Sequence, residues 1–221
     1  MSGPRLIGAR KSDEALTALA DGQVIAVPGD GGYLLAARHG NDGSAARLRA
    51  LAHDPSETGP LHVVVGRRDQ AVALASVWTN ETAHLTDRMW PGPLTVMVPA
   101  RPGSGDGDPV VCLAMPATRA LRVLCRDGEP LTVCALRRPD GAPIVDPTEV
   151  ALRFSASDVA LILDGGICRG PGPTVVDCTV SPPAVRHVGA LPESYVDAAL
   201  MMGNRRRKWF ARRSRPDASA D

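Results

Sequence analysis

Met89-Trp-Pro-Gly-Pro-Leu-Thr-Val-Met-Val-Pro99 changes backbone type twice in eleven residues. The residues before it, Thr82 to Trp90, have helical spacing. Trp-Pro-Gly-Pro cannot extend that helix, because proline lacks the N–H of the ladder and pushes its predecessor out of the α region. Leu94-Thr-Val-Met-Val-Pro99 is then rich in β-branched and apolar residues, as in a buried strand. Helix, tight turn and strand in succession is the repeating unit of an α/β fold. Trp90 is expected to be largely buried, anchoring the turn.

The same alternation continues outward. Upstream, Leu61-His-Val-Val-Val65 reads as a strand and residues 69–78 as a helix. Ser44 to Ala52 has helical spacing, with Leu48 and Leu51 on one side. Gln23-Val-Ile-Ala-Val-Pro28 and Tyr33-Leu-Leu-Ala-Ala37 read as strands flanking the turn Gly29-Asp-Gly-Gly32. Ser12, followed by Asp13 and Glu14, suggests a capped helix that Gly22 terminates. Downstream, strands are read at 110–116, 131–136, 159–163, 174–178 and 184–188, and helices at 118–126, 148–154 and 192–202. Arg101 to Pro109 is a Gly/Asp/Pro loop. The reading predicts an α/β domain over residues 1–203, with a mixed sheet of seven or so strands and helices packed on it.

Composition bounds the function. Aromatic residues make up only 3% of the chain, which disfavours an aromatic base-stacking platform. No apolar run approaches the roughly 20 residues of a membrane helix, and Met1 to Leu16 has no signal-peptide core. A cytoplasmic location is expected. The five cysteines form no CxxC pair, and three sit in apolar strand-like runs, which suggests buried thiols rather than disulfides or a metal site. The five histidines are scattered singly and read as surface or structural.

Charge is unevenly spread. Residues 1–203 carry 18 Lys/Arg against 22 Asp/Glu, whereas 204–221 carry seven cations and two aspartates. In that basic tail, Arg205, Arg206, Arg207, Lys208, Trp209, Arg212 and Arg213 are the expected nucleic-acid contacts, because the cations can meet phosphates while the ring stacks. A solvated, disordered tail is the competing reading. The chain has no DNA-specific motif, and its sequence sets no oligomeric state.

Several segments, in order, resemble one family. Leu19-Ala-Asp-Gly22, Val24-Ile-Ala-Val-Pro28, Asp30 and Tyr33 resemble its opening motif, and Met89-Trp-Pro-Gly-Pro-Leu-Thr95 is a near-intact copy of its most specific segment. Pro130-Leu131, Leu163-Asp-Gly-Gly166, Thr174-Val-Val-Asp177 and Gly189 follow at suitable spacings. Over about residues 12–190 the chain resembles the YrdC-like family, which includes threonylcarbamoyl-AMP synthases and YciO-type relatives. The resemblance implies a twisted sheet around a positively charged, concave cavity. Active members bind ATP with Mg, threonine and bicarbonate there, and make threonylcarbamoyl-adenylate and pyrophosphate for tRNA modification. The family is also described as binding double-stranded RNA.

The departures from its motifs point one way. Gly29 and Gly31 stand where the family has threonines, Ala52 and Asp54 where it has a lysine and an arginine, and Ala114 where it has an arginine. Ala135 and Arg137 replace the Ser-x-Asn pair, Pro173 replaces a serine, and His187 replaces an arginine with Arg186 adjacent. Adenylation gathers several anions, and preorganised donors and cations stabilise its transition state. The expected function is therefore binding of a nucleotide or RNA, with the synthase reaction lost or much reduced. No catalytic or metal residue is expected, and Asp30, Tyr33, Arg137 and Thr174 are the expected ligand contacts. The alternatives are an active L-threonylcarbamoyladenylate synthase, with ATP and Mg, or a non-enzymatic interaction protein acting through its tail.

Overall fold

The computed structural model describes residues 3–8, 11–40, 43–52, 59–104, 108–126 and 129–202. The chain runs through β1 (Arg5–Gly8), α1 (Ser12–Ala20), β2 (Ile25–Pro28), β3 (Tyr33–Arg38), α2 (Ser44–Ala52) and β4 (His62–Val64). It continues with α3 (Arg68–Leu74), α4 (Asn80–Met89), β5 (Leu94–Pro99), β6 (Val110–Ala114), α5 (Arg119–Arg126) and β7 (Leu131–Ala135). The last elements are α6 (Pro147–Arg153), β8 (Leu161–Asp164), β9 (Thr174–Asp177) and β10 (Ala184–His187), then α7 over 193–202. The basic tail, with Arg205, Arg206, Arg207, Lys208, Trp209, Arg212 and Arg213, lies outside the described residues, as do His53 and Asp54.

Local chemistry sets the element ends. Thr79 caps α4, its hydroxyl accepting from the Thr82 N–H at 3.1 Å. At the other end Trp90 is 7% exposed, as expected, and its indole N–H donates to the Leu94 carbonyl at 2.8 Å. Asp146 caps α6 by accepting from the Thr148 N–H, with Pro147 at the first helical position. Ser12 is a correction: it is the first helical residue of α1 and makes no side-chain cap, so Asp13 and Glu14 favour this end through the helix dipole, and Glu14 also pairs with Arg5 and Lys11. α3 is also shorter than read, because Ala75 leaves it to bridge Ala100.

The described strands form one mixed sheet of ten, in the order β1-β8-β2-β3-β7-β4-β6-β5-β9-β10, more than the seven or so expected. The strand not anticipated is β1, which pairs in parallel with β8. Register divides the sheet into two faces. Leu35 pairs with Cys134, and one step along the row Ala37, Thr132, Val63, Leu113, Val96 and Val176 lie side by side. This face packs under α2 and α6 at one end and under α3, α4 and α7 at the other.

The opposite face is only half covered. α1 and α5 pack on Ile25, Val27, Ala36, Val133, Leu161 and Leu163. Beyond them the sheet curls over open space. There Val64, Ala114, Thr95, Val175 and His187 form one continuous cross-strand row.

Candidate functional site

That row is the floor of a cavity of about 510 Å³, within the size range of small-molecule sites. Leu34, Ala135, Val133 and His62 extend the floor, and Leu121 of α5 closes one side. The remaining walls are the turn 29–32, the loop 170–173, Gly92, Pro116, and Leu136, Arg137 and Pro143.

Two glycine-rich segments far apart in the sequence, the turn 29–32 and the loop 170–173, meet here as one wall. A methyl group on Gly170 would sit 2.2 Å from the Asp30 carbonyl oxygen, and one on Gly31 would sit 2.9 Å from the Gly172 nitrogen. Neither position tolerates a side chain without separating the loops. Ile144 ties the same wall to the sheet, with the Tyr33 N–H donating to its carbonyl at 2.7 Å.

Of the expected ligand contacts, Asp30, Tyr33 and Arg137 line the cavity. Asp30 is half-buried and accepts from the Thr118 hydroxyl at 2.7 Å. Arg137 is exposed at the rim and donates to the Gly141 carbonyl at 3.0 Å. Tyr33 presents its ring, but its hydroxyl is engaged elsewhere, donating to the Gly166 carbonyl and accepting from the Gly165 N–H. Burial pushes that phenol up to about 12, so it stays protonated and braces the loop after β8.

Thr174 is a correction, because it does not line the cavity. Strand alternation turns Pro173 and Val175 to the cavity and Thr174 away. Its buried hydroxyl donates to the Leu191 carbonyl at 2.7 Å and accepts from the N–H groups of Gly189 and Leu191. It holds the segment after β10 in place.

The positions singled out by family resemblance converge. Gly29, Gly31, Ala114, Ala135, Arg137, Pro173 and His187 all face this one cavity. Ala52 is buried in the core under α2 instead. Arg138 and Arg186, the cations adjacent to Arg137 and His187, are held elsewhere: Arg138 by both oxygens of Glu149 and Arg186 by Asp177. The described lining thus holds one guanidinium, one carboxylate and two imidazoles among mostly aliphatic groups. Among the described residues, the lining expected to be positively charged is close to neutral.

Two groups were not singled out by the sequence. His62 reads as an isolated histidine in an apolar strand, and only the pairing of β4 with β6 and β7 turns it to the cavity. Thr95 is fully buried on the floor, and its hydroxyl has no hydrogen-bond partner among the described residues. Leaving such a hydroxyl unpaired costs about 1–3 kcal/mol.

The described lining does not fit the triphosphate and Mg of ATP. A triphosphate needs several cations or donors, and Asp30 is the only carboxylate on the described lining. No group of three potential metal ligands occurs among the described residues, and among them no helix is long and apolar enough to cross a membrane.

Comparison with known proteins gives concordant results. Residues 17–189 match the Sua5/YciO/YrdC family profile, whose description reads Telomere recombination. The chain is 28% identical over 194 residues to the threonylcarbamoyl-AMP synthase of Pyrococcus abyssi, covering 81% of this chain and 54% of that protein. It therefore spans about half the length of that relative. Among solved structures, P. abyssi Sua5 complexed with L-threonine superposes with a TM-score of 0.76 at 24% identity, over 90% of this chain and 60% of the other. Escherichia coli YciO superposes with a TM-score of 0.75 at 22% identity, over 87% of this chain and 98% of the other.

Proposed function

The chain belongs to the Sua5/YciO/YrdC family, and from that premise we propose that it is a ligand-binding member in which threonylcarbamoyl-AMP synthesis is lost or much reduced. In this reading the cavity holds a nucleotide without turning it over, and the basic tail at 204–221 supplies contacts to RNA.

One observation carries the proposal. The family's fold is kept, while three positions expected to grip anions, Ala114, Ala135 and Pro173, face the cavity with no charge and no donor. Removing a single preorganised donor typically costs about 100- to 1000-fold in rate, and here several are absent together. Groups that act as a set are not restored one at a time.

Equilibrium dialysis of ATP against the full chain tests the binding half of the proposal. Saturable binding is expected, and Ala114→Phe, which fills the floor, should abolish it while retaining a cooperative melt. No binding to the unmodified chain, or undiminished binding to a folded Ala114→Phe variant, would refute a nucleotide in this cavity.

A further inference from the structure

We infer that the cavity holds the uncharged nucleoside part of a nucleotide and leaves its phosphates in solvent, with the Thr95 hydroxyl as the hydrogen-bonding anchor on its floor. The inference rests on the nucleotide-binding reading above and specifies which part of the molecule is held.

Charge is the first consideration. The described lining offers Arg137 alone as a permanent cation, and that guanidinium sits exposed at the rim with its Nη1 on the Gly141 carbonyl. Asp30 opposes it with a carboxylate in the turn where a phosphate would otherwise approach backbone N–H groups. A triphosphate would leave water for a near-neutral surface and gain little in return. It is better left in solvent.

Shape and polarity are the second. Val64, Ala114 and Val175 on the floor, with Leu121 above, supply an aliphatic surface for a flat, uncharged ring system. Thr95 lies in the same row between Ala114 and Val175. It is the one floor hydroxyl that is fully buried and unpartnered among the described residues. Oγ1 and the methyl share one β-carbon, so rotation about χ1 exchanges which of them meets a ligand. A ligand edge bearing a donor or acceptor satisfies the hydroxyl, and Asp30 retains acceptor capacity for a hydroxyl donor such as a ribose, because Thr118 occupies only one of its oxygens.

The test is a calorimetric titration of the full chain with adenosine and with ATP at two salt concentrations. Adenosine should bind within about threefold of ATP, and neither affinity should shift appreciably with salt, since no phosphate is gripped. Thr95→Val should weaken adenosine about tenfold while raising the melting temperature, because it removes an unsatisfied buried hydroxyl. Thr95→Ser should retain wild-type affinity to within about threefold. ATP binding at least tenfold tighter than adenosine would overturn this inference and leave the nucleotide-binding reading standing. Absence of binding by both would sink the two together. Unchanged adenosine affinity in a folded Thr95→Val variant would remove Thr95 as the anchor.

Discussion

Thr174 belongs to a segment that resembles a family motif, yet it faces away from the cavity. Its hydroxyl makes three hydrogen bonds to the 189–191 segment, behind the cavity wall rather than on it. Thr174→Val removes one donor and strands two backbone N–H groups, and is expected to cost about 1–3 kcal/mol in a denaturant melt. Thr174→Ser should recover most of that loss. Equal stability of the valine variant and the wild type would show that water replaces the hydroxyl at no cost. The sequence marked this residue correctly as part of a matching segment but could not assign its face. A strand shifted by one residue exchanges its faces, and the partner that fixes the register of β9 is β5, some eighty residues earlier in the chain. The same limit hid Thr95 and His62, whose significance lies in which face their strands present.

At the scale of elements, β9 and β10 are joined by a buried acid. Burial alone would raise the Asp177 carboxyl, but hydrogen bonds from Thr179 and Arg186 together outweigh it and hold the group below the usual carboxylate range. A depressed folded-state pKa contributes stability that is complete above the unfolded value of about 3.9 and is lost as pH falls through the folded value. Arg186→Met should therefore melt below the wild type at neutral pH, with the gap closing as the pH drops below about 4. The effect should be modest, since the Arg186 side chain is 54% exposed. A gap independent of pH would mean that the ion pair is not its source. The strands legible in the sequence were those with apolar runs between clear breakers. β1 was not, because Arg5-Leu-Ile-Gly8 is short and has residues exposed on both sides of Ile7. What makes it a strand is the parallel edge of β8, supplied by residues 161–164.

Across the whole molecule, the order of matching segments made the α/β class and the family legible, and most of the altered positions line one cavity, though Ala52 lies in the core. The half-covered sheet face was not legible. It follows from α1 and α5 shielding only the β1–β7 end of the sheet, which leaves the curled remainder open. The central proposal is that this family member binds a ligand in its cavity with threonylcarbamoyl-AMP synthesis lost or much reduced. The direct measurement is pyrophosphate release from ATP, L-threonine and bicarbonate by the full chain, beside an intact family member under the same conditions. The account predicts a rate at least about 100-fold below the control, since at least one preorganised donor is missing. Turnover within about tenfold of the control would contradict it, and would mean that Arg137 with the cavity histidines suffices to hold the anionic reactants.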